Sequence, residues 1–79
     1  MIYLIEFERR TRRLHTFQRF EDAERRRAAT ARLALEIRLN RAGIEHEVVL
    51  LEASDERALR RTHSRYFSTL RELAAELTA

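Results

Sequence analysis

Ile2-Tyr3-Leu4-Ile5-Glu6-Phe7-Glu8 decides the fold. Tyr3, Ile5 and Phe7 alternate with Ile2, Leu4, Glu6 and Glu8, which is the period of a β-strand. The first half of the run is apolar on both faces, and this suits a central strand better than an edge. A central strand needs a neighbour on each side. Residues 14–19 supply one, with Phe17 facing opposite to Leu14 and Thr16. The connector Arg9-Arg10-Thr11-Arg12-Arg13 has no Gly, Asn or Asp, so the usual tight-turn signals are missing. A five-residue hairpin loop with four arginines at its tip is expected. Residues 45–52 supply the other neighbour, with Val48-Val49-Leu50-Leu51 again apolar on both faces.

Between these strands the spacing predicts a helix over residues 20–42. Glu21 and Asp22 fall in its first turn, where the helix dipole favours negative charge. They also stand four residues before Arg25 and Arg26, the favourable order for paired charges. Ala28, Ala31, Leu35, Leu39 and Ala42 make one apolar stripe, and Ala29, Leu33 and Ile37 make a second on nearly the opposite side. Gly43, the only glycine, sits where a left-handed residue ends a helix. Ser54 offers an N-cap to a second helix, with Asp55 and Glu56 in its first turn. Its apolar seam is Leu59, Tyr66, Leu70, Leu73 and Leu77, and His63 fills the missing step. The weak point is Thr62-His63-Ser64, where Thr62 or Ser64 would instead cap a separate final helix.

The order ββαβα with a right-handed crossover places the third strand beside the first and antiparallel to it. The expected fold is one α+β domain over residues 1–79. It is a three-stranded mixed sheet of order 2-1-3, a split β-α-β arrangement with both helices on one face and a long C-terminal helix. Two features of this arrangement call for a second copy. The third strand would be an exposed apolar edge, which native proteins cover. A helix over residues 55–77 would be about 34 Å long, against a radius of gyration of about 12 Å for a domain of this size. A two-fold homodimer is therefore expected, with Val49, Leu51, Tyr66, Leu70, Leu73 and Leu77 at its interface.

All 16 basic residues are arginine. A GC-rich genome produces that skew through codon usage, so the positions of the arginines carry more information than their number. Residues 1–43 hold eleven arginines against six acids, and residues 44–79 hold five against seven. No cysteine is present, which excludes a disulfide framework and thiolate metal sites. No stretch has the long apolar run of a membrane span or the pattern of a signal peptide. A bacterial, cytoplasmic protein is expected.

Arg9, Arg10, Arg12 and Arg13 are the first candidate site, suited to phosphates or to an acidic protein surface. The plainer reading is a solvated loop balanced by Glu6 and Glu8. Arg27, Arg38 and Arg41 extend the basic patch along one sector of the first helix. Arg61, His63 and Arg65 form a second polar patch. Catalysis is not expected, nor is a metal or cofactor. His15, His46 and His63 lie on three different elements without helical metal-ligand spacing. Glu45 and Glu47 face away from His46. The expected function is a non-enzymatic, homodimeric interaction or accessory module. The alternative is a nucleic-acid-binding protein using the hairpin arginines and the basic face of the first helix.

Overall fold

The structure is a computed structural model and describes residues 1–67. Strand β1 (Ile2–Glu8) lies between β2 (Arg13–Phe20) and β3 (Glu47–Glu52) in the order β2-β1-β3. Ile2 through Phe7 are all buried, as a central strand requires. A short 3-10 turn, Asp22–Glu24, leads from β2 into helix α1 (Arg25–Ala42). Helix α2 (Glu56–Thr62) follows β3, and a second 3-10 turn, Ser64–Tyr66, follows α2.

The split β-α-β topology and the 2-1-3 order are as expected, but the sheet is wholly antiparallel rather than mixed. Both β2 and β3 pair antiparallel to β1. They run parallel to each other without touching, because β1 separates them.

The helices also take opposite faces of the sheet rather than one. Ile2, Leu4 and Phe20 pack with Ala28, Leu35 and Leu39 of α1. On the other face Tyr3, Ile5 and Phe7 pack with Leu59 of α2 and with Tyr66. The physical reason lies in β1 itself, since apolar side chains that point both ways need a cover on each side. Val49 and Leu51 of β3 also lie under α2, while Val48 and Leu50 pack toward α1. The side chains of the edge strand thus pack on both faces within the chain and stay partly exposed.

A register shift separates Glu6 and Phe7: Glu6 pairs with Thr16, but Phe7 pairs with Leu14. His15 is the extra residue of a β-bulge. The bulge brings Leu14 into the same cluster as Phe17, where strict alternation put them on opposite faces. Arg12 takes φ 58°, the left-handed conformation that the hairpin needs and that no Gly or Asn is there to supply.

Helix ends follow local chemistry. The Glu21 backbone N–H donates to Glu24 Oε1 at 3.0 Å, so α1 starts after this turn rather than at residue 20. At its other end Gly43 has φ 68°, and the Ile44 N–H donates to the Leu39 carbonyl at 2.9 Å. Asp55, not Ser54, caps α2, its side chain accepting from the Ala58 N–H at 2.8 Å. Helix α2 stops at Thr62, so the long helix expected over residues 55–77 is interrupted at its weak point. Thr62 Oγ1 donates back to the Ala58 carbonyl at 2.9 Å, and His63 leaves helical geometry. The turn that follows brings Tyr66 edge-on to Phe7, with ring centroids 5.2 Å apart. Leu70, Leu73 and Leu77 lie outside the described residues.

Leu59 is fully buried beneath a helix of seven residues, too short to stand alone. Leu59→Ala should destabilise the chain by about 2–5 kcal/mol in urea unfolding. Gly43→Ala meets no atom within 4 Å, so its cost is that of the backbone alone, about 1 kcal/mol by the same assay.

Candidate functional site

The apolar alternation of β1 ends at Glu6, and the polar residues that follow gather at one end of the sheet. Because successive side chains point to opposite faces, this end carries two separate clusters.

On the α1 face sits Glu6, a carboxylate only 6 % exposed. Thr16 Oγ1 donates to its Oε1 at 2.7 Å, and His46 Nδ1 lies 2.6 Å from its Oε2. Burial pushes the Glu6 carboxyl up, but the hydrogen bonds of His46 and Thr16 outweigh this and hold it below its usual value. His15 Nε2 lies 2.7 Å from Glu8 Oε1, and the His15 and His46 rings stack with centroids 4.6 Å apart. Glu8 is also held low, first by its hydrogen bond with His15 and then by Thr11. The two histidines meet because the bulge presents His15 and because His46 immediately precedes β3. In the sequence they stand on separate elements. The available signal was the pair of glutamates closing β1 opposite two histidines on its flanking strands.

On the α2 face Glu47 is the hub. Its Oε1 accepts from Arg9 Nη2 at 2.7 Å and from Arg65 Nη2 at 3.1 Å. Arg65 also donates to the Tyr66 hydroxyl at 2.9 Å and lies over the Tyr66 ring. Burial alone would raise the Glu47 carboxyl. The Tyr66 phenol and the Arg9 and Arg65 guanidiniums beside it prevail and bring it down to about 2.

The four hairpin arginines stand in different surroundings. Arg9 is tied to Glu47, and half-buried Arg12 points back toward the Arg65 carbonyl at 3.5 Å. Arg10 and Arg13 are exposed and have no ion-pair partner among the described residues. In the second patch Arg65 is engaged by Glu47, His63 Nδ1 lies 2.9 Å from Thr62 Oγ1, and Arg61 is exposed on α2. Arg27 of α1 pairs with Glu24 at 2.5 Å, whereas Arg38 and Arg41 are exposed without ion pairs among the described residues. Val49, Leu51 and Tyr66 are packed within the chain, in the cluster beneath α2. Tyr3, Phe7 and Phe17 are packed there too, with Phe17 stacked on Tyr3 and edge-on to Phe67, so they offer no open platform for bases.

Among the described residues no helix is long and apolar enough to cross a membrane. Compared with known proteins, the chain gives no match to a family model, to a curated protein or to a solved structure.

Glu47 supplies a pH test. Its folded value of about 2 lies below the ordinary 4.5. Its stabilisation is therefore complete above pH 4.5 and is lost as pH falls toward 2. Glu47→Gln should cost roughly 2 kcal/mol near neutral pH. In urea unfolding, the gap between the wild-type and variant chains should close as pH falls through that window.

Proposed function

We propose that this chain is a non-enzymatic interaction module that docks an acidic, amphipathic helical segment of a partner protein along the outer face of α1. The observation behind this reading is the exposure of Leu33 and Ile37, 55 % and 44 %, on the side of α1 away from its buried residues Ala28, Leu35 and Leu39. A single exposed leucine needs no explanation. Two large aliphatic residues one turn apart, in line with exposed Ala29, form a ridge of the kind that interaction surfaces present.

Charge selects the partner. Helix α1 carries six arginines and one glutamate. Arg26, Arg38 and Arg41 are exposed and have no ion pair among the described residues. A second copy laid on the same face would oppose arginines to arginines, a juxtaposition that costs affinity. An acidic segment would neutralise them. A groove of about 450 Å³ between α1 and β2, lined by Phe20, Arg26, Arg27, Thr30 and Ala31 among others, shares Arg26 with this surface. This reading keeps the interaction module expected from sequence and moves its working surface from the third strand and C-terminal seam to α1.

The probe is a synthetic helical peptide with leucines at coiled-coil spacing and glutamates flanking them, followed by fluorescence polarisation. Binding should weaken as salt rises. Leu33→Asp and Ile37→Asp should each reduce affinity by at least about tenfold without altering the circular dichroism of the chain. Equal binding of the same peptide with glutamine in place of glutamate would overturn the proposal. So would tighter binding to a duplex oligonucleotide, or light scattering that shows a dimer split by Leu33→Asp.

A further inference from the structure

We infer that Glu8, His15 and His46 form a site for one divalent transition-metal ion, with Glu6 as the residue that positions His46. This site lies at the end of the sheet and does not depend on the α1 docking surface. Each of the three residues comes from a different part of the sheet: the end of β1, the bulge in β2 and the approach to β3. One ligand atom from each lies within 4.8 Å of the others. An ion with bonds of about 2.0–2.2 Å to nitrogen and oxygen needs ligand atoms only about 3–3.5 Å apart. To reach that spacing His15 Nε2 and Glu8 Oε1, 2.7 Å apart, would open slightly, and His46 Nε2, 3.8 Å from Glu8 Oε1, would close in.

The buried Glu6 gives the cluster a direction. An ionised carboxylate only accepts hydrogen bonds, so the proton between Glu6 Oε2 and His46, 2.6 Å apart, belongs to His46 Nδ1. Thr16 occupies the other oxygen of Glu6. The His46 ring is thereby fixed with its Nε2 turned toward Glu8 Oε1 at 3.8 Å, too long for a direct hydrogen bond. A carboxylate holding the far nitrogen of an imidazole is the usual support of a metal-ligating histidine. Glu8 Oε1 thus has a ring nitrogen of each histidine near it, His15 Nε2 at 2.7 Å and His46 Nε2 at 3.8 Å, an arrangement into which a cation would fit.

The donor set narrows the ion. Two imidazoles and one carboxylate suit zinc, cobalt or ferrous iron, whereas calcium and magnesium take oxygen ligands. The side chains of His46, Glu8 and His15 are 14 %, 24 % and 36 % exposed, so the site is lined by protein yet open to solvent on one side. Three protein ligands leave a position for water. An ion held here would also pin the ends of all three strands together, because the folded state alone assembles the ligands.

The test uses the full chain without an affinity tag, titrated calorimetrically with zinc chloride and by visible absorption with cobalt chloride. One ion per chain should bind with a dissociation constant on the order of micromolar, and zinc should raise the melting temperature. His15→Ala and Glu8→Gln alter partly exposed side chains and leave the fold intact by circular dichroism, and each should weaken binding by at least about tenfold. Glu6→Gln, which touches no metal, should weaken it by about 10–100-fold and be partly rescued by Glu6→Asp. His63→Ala should have no effect. Absence of saturable binding at about 100 μM zinc would overturn the assignment, leaving a hydrogen-bonded histidine–carboxylate network. Binding that survives His15→Ala, or that requires His63, would overturn it equally.

Discussion

Strand β1 imposes the constraint on which the rest of the structure depends. Its side chains point alternately to two faces, and from Ile2 to Phe7 every one of them is buried. No single layer of helix can cover both faces, so the chain needs two. Helix α1 is long enough to span one face and buries Ala28, Leu35 and Leu39 against Ile2, Leu4 and Phe20. The other face is covered by a helix of only seven residues. Its stability comes from packing: Leu59 and Tyr66 seat on Tyr3, Ile5 and Phe7. The same two layers pack against both faces of β3, whose residues stay partly exposed.

The same alternation organises the charge. Where β1 turns from apolar to acidic, its glutamates meet histidines from the two flanking strands on the α1 face. Glu47 of β3 meets Arg9 and Arg65 on the other. Two chemically different clusters thus stand back to back at one end of the sheet. The buried carboxylate of Glu6 is fully engaged by Thr16 and His46, as a charge in that position must be to persist. The Glu47 carboxylate braces Arg9 and Arg65 together, while both side chains stay more than half exposed.

The remaining arginines sort by neighbour. Arg25, Arg27, Arg32 and Arg60 pair with Glu52, Glu24, Glu36 and Glu56 on the surface. Such pairs contribute little stability, generally below about 1 kcal/mol each, but they lower the local field. Arg26, Arg38 and Arg41 have no such pair among the described residues, and they flank the exposed aliphatic ridge of α1. A cationic border around an apolar ridge is a surface with a preference in both charge and shape. The second apolar stripe of α1 was visible as a periodic pattern, and its exposure became meaningful once the first stripe was seen to satisfy the core.

Local physics made much of this protein legible from its sequence. The two-sided apolar run of β1 marked a central strand, Gly43 marked the end of α1, and the order of elements left 2-1-3 as the sheet order. Thr62 and His63 marked the place where α2 stops. Each of these signals acts within a few residues, through backbone geometry or side-chain alternation. Tertiary structure alone decided which face each helix covers, because alternation groups side chains into two sets without assigning a helix to either. It alone placed the bulge at His15, one extra residue that shifts Leu14 to the other face. It alone brought His46 to Glu6 across 40 positions of chain. Contacts of that kind depend on register between distant strands, and no periodicity within either strand encodes it.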